Sequence, residues 1–387
     1  MNAVLSRSPM PHLFAGQQVV IATDRLHLLN PSAALLWDGW LAGLDAAALA
    51  DRLTTGYGLS PAAARVTVTQ TLADWRRTGL LDAPDPTVAP FPPPPPPAIH
   101  DPPPLLNACR IQDYQLFDRR LRVRCADPDL WASLIPPFAH LAVVPVAPPE
   151  PAATFSLIAE PAGLSLWRGG WRLAEALTPT DALLALFGEI AEFGYRERDW
   201  LAALHAAAVH NSRCALMLPA LGGAGKTTLT AALLAAGSGY LSDDVAPLDA
   251  ETLEVWPLPL PLRIKPGSVA LLRPRYPELD HLPAHGPADR AVRLLPPPRF
   301  DPTAAGRSYP VAGLVFPDYR PAAACALRPI SPVEALQRLI ASETLFRRPL
   351  VPNHIGRLLA WLEATPAWRL EYSALGPAVR AIRDLLP

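Results

Sequence analysis

Twelve of the twenty-one residues from Pro84 to Pro104 are proline, and six of them run together from Pro92 to Pro97. Proline has no backbone N–H and its ring clashes with the preceding helical turn, so this stretch is neither helix nor central strand. It extends as polyproline II and serves as a semi-rigid spacer; a docking site for an SH3-type module is the weaker reading. The chain therefore divides into residues 1–83, a Pro-rich linker at 84–105, and residues 106–387.

Composition limits what the two parts do. The 387 residues suffice for two or three domains with a sizeable core. The formal net charge of −1 shows no basic excess, which argues against a nucleic-acid partner. No apolar run reaches the roughly 18–20 residues of a membrane helix. The N-terminus lacks the pattern of a signal peptide, so no membrane partner is expected. Cys109, Cys125, Cys214 and Cys325 are far apart and form no CxxC, which disfavours zinc and a disulfide framework. A reducing, cytoplasmic setting is the expectation.

The first part is punctuated by turn and cap signals. Gln18–Ala22 and Leu26–Leu29 read as a hairpin turning at Thr23-Asp24-Arg25. Asn30-Pro31-Ser32 opens a helix carrying Leu36, Trp37 and Trp40. A second helix starts near Asp45 and ends at Gly56–Gly58. A third has Ser60 as N-cap and Pro61 in its first turn, carries Val68, Leu72 and Trp75, and stops at Gly79. Two strands and three helices make a small winged-helix-like α+β unit.

The segments RLHLLNPSAALLW and GLSPAAARVTVTQTLADWRRTGLLD resemble the PqqD-like family, the leader-peptide recognition elements of ribosomally made, modified peptides. The resemblance spans about residues 12–83. It implies a partner, the leader of a precursor peptide, that adds as a strand to the hairpin edge and packs on the third helix. The receiving surface would lie around Val19 to Leu28 and along Arg65, Thr69 and Leu72. DNA binding is disfavoured, because only Arg65, Arg76 and Arg77 stand on the last helix.

Residues 106–195 read as an accessory part without recognisable chemistry. Strands are expected at Tyr114–Cys125, Leu141–Val146 and Thr154–Ile158, a hairpin at Leu164–Leu173, and a helix at Asp181–Phe193 capped by Thr178 or Thr180. Residues 196–330 read as a nucleotide-binding core. Cys214–Leu218 is a short continuous apolar run suited to a buried strand. The loop Pro219–Gly225 and strong helix formers from Lys226 to Ala236 follow. Strand, glycine loop, Lys-Thr and helix are the context of a phosphate-binding loop. Glycines let successive N–H groups turn toward phosphate oxygens, and the helix N-terminus adds its dipole. Ala220, Leu221, Gly222, Gly223, Ala224, Gly225, Lys226, Thr227 and Thr228 are the expected phosphate cradle. Lys226 reaches the β- and γ-phosphates and Thr227 ligates Mg²⁺ in this reading. Ala220 stands where the general pattern has glycine.

Two further features flank the loop. Asp243-Asp244 ends the short strand Tyr240–Ser242, where ligands bind in α/β sheets. Both carboxylates reach a ligand only if the strand has ended there. One then holds Mg²⁺ and the other accepts a proton from an attacking hydroxyl. His205 interrupts the apolar stretch Ala202–Val209, one strand from the loop.

LHAAAV, ALGGAGKTT and YLSDDV together resemble the catalytic domain of HPr kinase/phosphorylase and its related kinases. The resemblance is strong over about residues 195–250. It implies an α/β P-loop kinase domain that uses ATP and Mg²⁺. Asp244 would be the base for the acceptor hydroxyl, Asp243 its neighbour and a metal ligand with Thr227, and His205 an electrostatic or proton-handling partner; which aspartate faces the acceptor stays open. Downstream, LPLPLRIKPGS lacks the Mg²⁺-binding glutamate of the bifunctional enzyme, which leaves phosphorolysis and the second metal ligand open. Lys265 faces either the γ-phosphate or solvent. Arg290 and Arg293 read as ordinary surface residues. Residues 331–387 read as covering helices at Pro332–Leu345, Pro352–Ala364 and Leu375–Leu386.

The expected activity is transfer of the γ-phosphate of ATP to a serine or other hydroxyl of a peptide recruited by the first domain. A non-catalytic leader-binding scaffold with a regulatory nucleotide site and a small-molecule kinase are the alternatives. A homo-oligomer is compatible with all three.

Overall fold

The computed structural model describes residues 12–22, 25–81, 109–143, 151–196, 200–289, 291–298, 301, 306–342, 344–346 and 350–386. The spacer at 84–105, Arg290 and the turn residues Thr23 and Asp24 lie outside them. The chain is a mixed α/β protein with several sheets, grouped into two compact units. One comprises residues 1–92, 331–340 and 346–364. The other comprises 93–330, 341–345 and 365–387. The expectation assigned all of 331–387 to the kinase-like part. The grouping instead puts two of those helices with the N-terminal residues.

The smaller unit holds β1 (His12–Phe14), β2 (Gln17–Ala22) and β3 (Arg25–Leu29) in the order β1-β2-β3. Helices α1 (Pro31–Leu41), α2 (Ala46–Tyr57) and α3 (Pro61–Thr78) follow. Their side-chain caps Asn30, Asp45 and Ser60 each accept from the N–H three residues on, satisfying an otherwise orphaned donor. Gly58 and Gly79 end α2 and α3 in the left-handed conformation. Trp37 and Trp75 meet edge-on, with ring centroids 5.5 Å apart, in a core shared with Leu49, Leu53 and Val68. Strand β1 was not foreseen, and the Ala15 N–H beyond it donates to Glu363.

In the larger unit, β4 (Arg110–Leu116), β5 (Arg119–Cys125), β6 (Ala142–Val143), β7 (Ala153–Glu160), β8 (Gly163–Arg168) and β9 (Trp171–Leu177) form one sheet, ordered β6-β4-β5-β7-β8-β9. Helix α4 (Pro128–Leu134) leads into a 3₁₀ turn at Pro136–Leu141, so the strand expected from Leu141 is only two residues long within the described chain. Helix α5 (Pro179–Arg196) packs on this sheet, and the Thr178 hydroxyl accepts from the Asp181 N–H at its start.

The second large sheet carries the site. Its strands are β11 (Ala206–His210), β12 (Ala215–Pro219), β13 (Gly239–Ser242), β18 (Val311–Tyr319), β19 (Ala326–Pro329) and β21 (Ala367–Tyr372), in the order β13-β11-β12-β18-β21-β19. Strands β10 (Trp200–Leu204) and β14 (Ala246–Asp249) pair with each other beside it. Smaller strands β15 (Leu262–Ile264), β16 (Ala284–His285), β17 (Val292–Leu295) and β20 (Leu345–Phe346) complete the set. The helices are α6 (Lys226–Ala235), α7 (Pro266–Leu272), α8 (Pro332–Ala341), α9 (Pro352–Ala364) and α10 (Leu375–Arg383). The two sequence-expected helices at 332–345 and 375–386 are therefore shorter. Strands β12, β18 and β21 are parallel, and β11 runs against both β12 and β13. The ends of β12, β13, β18 and β21 and the start of β11 consequently lie on one edge of the sheet. Both faces of β11 and β12 are buried, which explains their unbroken apolar sequence.

Candidate functional site

Three segments meet at that edge. The first is the loop between β12 and α6. Gly223 and Gly225 take left-handed φ of +91° and +84°, which only glycine adopts without cost. Ala220 has no positive φ, so its side chain in place of glycine strains nothing in the backbone. Its N–H donates to the His205 carbonyl, tying the loop to the start of β11. The Ala224 N–H donates to Leu221, whose own side chain is exposed. Beyond Gly225 the chain enters α6, whose first N–H groups have no intrahelical acceptor, an arrangement that favours negative charge at a helix start. Thr230 closes the first turn onto the Lys226 carbonyl. The Thr228 hydroxyl is turned away to Ser268 at 2.6 Å, so that residue offers a phosphate only its backbone.

The second segment is Asp243-Asp244. It forms a bend between β13 and β14, so the strand has ended and the two side chains escape strict alternation. The third is His205, at the matching break between β10 and β11. Its Nε2 is 3.1 Å from Asp244 Oδ1, and its Nδ1 is 3.2 Å from the Ser342 carbonyl.

The electrostatics of the two aspartates diverge. The side chain of Asp244 is 47 % exposed and sits beside the His205 ring and between two cations, Lys226 Nζ at 3.6 Å and Arg263 Nη1 at 3.7 Å. The hydrogen bond from His205, with the charges of Lys226 and Arg263, holds its pKa down to about 2 against the cost of partial burial. Asp243 is only 6 % exposed. Burial and the neighbouring Asp244 charge raise its pKa to about 6, although Lys226, the Thr227 hydroxyl and the Arg263 N–H stabilise the anion. Its Oδ1 is buried without a hydrogen-bond partner. Lys226 Nζ is likewise buried and lacks a hydrogen bond; burial lowers its pKa while both aspartates oppose the shift.

A buried ammonium held only by its 3.6 Å ion pair to Asp244, and a buried Asp243 oxygen without a hydrogen bond, thus lie beside the start of α6. Buried polar groups are ordinarily paired. The set suits a polyanion: Lys226 and the loop N–H groups for phosphate, and the hard oxygens of Thr227 and Asp243 for Mg²⁺. Among the described residues no group of three or more His, Cys, Asp or Glu side chains forms a metal site. Any metal held here would therefore take part of its shell from ligand and water.

Of the expected residues, His205, Lys226, Thr227, Asp243 and Asp244 come together. Lys265 stands exposed at the start of α7, and its charge acts on Lys226 without a direct contact to the pair. Arg293 lies on β17, where its Nε donates to the Leu282 carbonyl. Sequence reading missed Arg263. Its guanidinium lies over Phe187 at 5.6 Å from the ring centroid as well as beside Asp244. The signal available was the alternation in Leu262-Arg263-Ile264, which is buried, exposed, buried and puts the arginine alone on the open face of β15. The accessory part also contributes: Phe187 and Ala191 of α5, with Val245, Leu258, Leu260 and Pro261, wall a cleft leading to Asp243, Asp244 and Arg263.

No protein-family model matches this sequence, and no curated protein is significantly similar to it. Among the described residues no helix is long and apolar enough to cross a membrane.

Proposed function

We propose that the protein is an ATP- and Mg²⁺-dependent kinase that phosphorylates a hydroxyl of a ribosomally made peptide recruited by its N-terminal unit. The observation that carries this reading is the pairing of a phosphate-loop helix with two aspartates in opposite electrostatic states. Lys226 and the loop from Ala220 to Thr228 would hold the triphosphate. Thr227 and Asp243 would hold Mg²⁺, which supplies charge neutralisation of the phosphates when bound. Asp243 suits that role because it is buried beside Thr227 and leaves one oxygen orphaned.

Asp244 is the accessible carboxylate and takes the acceptor's proton. Its present cations make it a weak base, but Lys226 is shared with the phosphate site. A lysine engaged by phosphate no longer depresses Asp244, and proton affinity rises where the hydroxyl arrives. His205 keeps the carboxylate oriented and stabilises its charge. Arg263 steadies the other oxygen.

In the N-terminal unit β3 is an edge strand among the described residues. Arg65 and Thr69 are exposed on α3, and Val66 is exposed as well. Leu72, expected on the receiving surface, is buried with Val20 in the core among the helices, and Val19 is buried as well. Strand addition therefore relies on the backbone of β3 and on the exposed face of α3. Leader capture raises the effective concentration of the acceptor, so the cleft itself need not bind tightly.

The test follows radiolabelled γ-phosphate in the presence of Mg²⁺ and a precursor peptide. Label on the peptide in excess of label released as free phosphate is expected. Release to water that the peptide does not divert contradicts the reading.

A further inference from the structure

We propose that Tyr319 is the platform on which the base of the bound nucleotide stacks. The inference rests on reading residues 220–228 as a nucleotide site. On that reading the reacting end of the triphosphate lies by Lys226 at the start of α6, towards Asp243, Asp244 and His205, which stand on the β11–β13 flank of the loop. The nucleoside must then leave by the opposite flank, where β18 and β21 end.

Those two strands end on tyrosines in register, Tyr319 opposite Tyr372. Tyr372 is 1 % exposed, and its hydroxyl lies 3.5 Å from the Gly225 carbonyl oxygen. Its ring meets Tyr319 edge-on, with centroids 5.7 Å apart and planes at 72°. A Cβ placed on Gly225 would lie 3.6 Å from the Tyr319 Cβ, so this ring stands at the lip of the phosphate loop. Tyr319 is nevertheless 47 % exposed.

An exposed tyrosine is ordinary by itself. This one is held. The N–H of Arg320 donates to the Tyr372 carbonyl at 2.9 Å, and the Ser373 hydroxyl donates to Ala323 at 2.7 Å. Asp318 is anchored by both Arg320 and Arg369. The ring is therefore backed by Tyr372 on a fixed strand end and presents its remaining surface to solvent beside the loop. A rigid aromatic surface of this kind gains from stacking on any nucleobase, with losses of roughly five- to a hundred-fold on truncation to alanine.

The test measures binding of ATP and of inorganic tripolyphosphate, each with Mg²⁺, to the full chain. Tyr319→Ala should weaken ATP by at least roughly five-fold and leave tripolyphosphate unchanged, while Tyr319→Trp keeps ATP binding. Lys226→Ala should weaken both ligands. ATP binding that is intact in Tyr319→Ala but lost in Lys226→Ala overturns the stacking role and spares the nucleotide site. An equal loss of ATP and tripolyphosphate in Tyr319→Ala overturns it too, because the effect would then lie in the loop. A wild-type chain that binds neither ligand removes the nucleotide reading and this inference together.

Discussion

Asp243 and Asp244 are neighbours in sequence and opposites in environment, and the difference has thermodynamic consequences. The native pKa of Asp243, about 6, lies above its ordinary value of 3.8. Between those values the folded chain binds more protons than the unfolded one, so stability falls as pH rises through that window and stays lowered above it. Asp243→Asn should then melt higher than wild type at pH 8 by an amount worth up to about 3 kcal/mol, and match it at pH 4, in calorimetric scans. An equal melting point at pH 8 would remove the strained-carboxylate account. Asp244 behaves inversely: its stabilising contribution is present above the usual carboxylate range and is lost as pH falls toward 2. That contribution is screened because the side chain is half exposed.

The glycines of the loop separate backbone strain from crowding. Gly223 has open space around a Cβ, whereas a Cβ on Gly225 would lie 2.6 Å from the Tyr372 hydroxyl. Gly223→Ala should cost about 1–2 kcal/mol from its left-handed conformation alone. Gly225→Ala should cost more in urea denaturation and should also abolish ATP binding. A Gly225→Ala chain as stable as Gly223→Ala would show that Tyr372 yields freely.

Among the elements, legibility followed the presence of local punctuation. Helices α1, α2 and α3 were readable because Asn30, Asp45, Ser60, Gly58 and Gly79 are chemical instructions confined to a few residues. Ser60→Ala should cost about 1 kcal/mol by removing the acceptor for the Ala63 N–H; chemical denaturation of the N-terminal unit reads it. The loop, α6 and the Asp243-Asp244 bend were readable for the same reason. Strand β1 has only three residues and pairs with β2 across the two-residue turn Ala15-Gly16, whose single glycine is a weak signal. Strand β19 carries an arginine and a proline, β21 an arginine and a glutamate, with little apolar alternation, and only their sheet neighbours define them. Arg263 joined the site through tertiary placement, with no motif around it. The alanine-rich run from Ala202 to Val209 gave the position of His205 but not the break between β10 and β11, which depends on pairing with β14 on one side and β12 on the other.

For the whole molecule, the proposal puts recognition and chemistry on separate compact units, and the first includes α8 and α9 as well as residues 12–81. Disrupting one core should therefore spare the other. Trp75 is 5 % exposed and packs edge-on against Trp37. Trp75→Ala should lose roughly 3–5 kcal/mol in the smaller unit and abolish peptide capture. ATP affinity of the larger unit should remain within about two-fold of wild type, by titration calorimetry; loss of ATP binding in step with peptide binding would mean that the two units are one cooperative structure. The most direct measurement of the central claim is the mass of a precursor peptide after incubation with the protein, ATP and Mg²⁺. A gain of one phosphate with wild type, absent with Asp244→Asn although that variant still binds ATP, is the predicted result. An unmodified peptide in the presence of a chain that binds both ATP and the leader would contradict it and leave a nucleotide-regulated scaffold in its place.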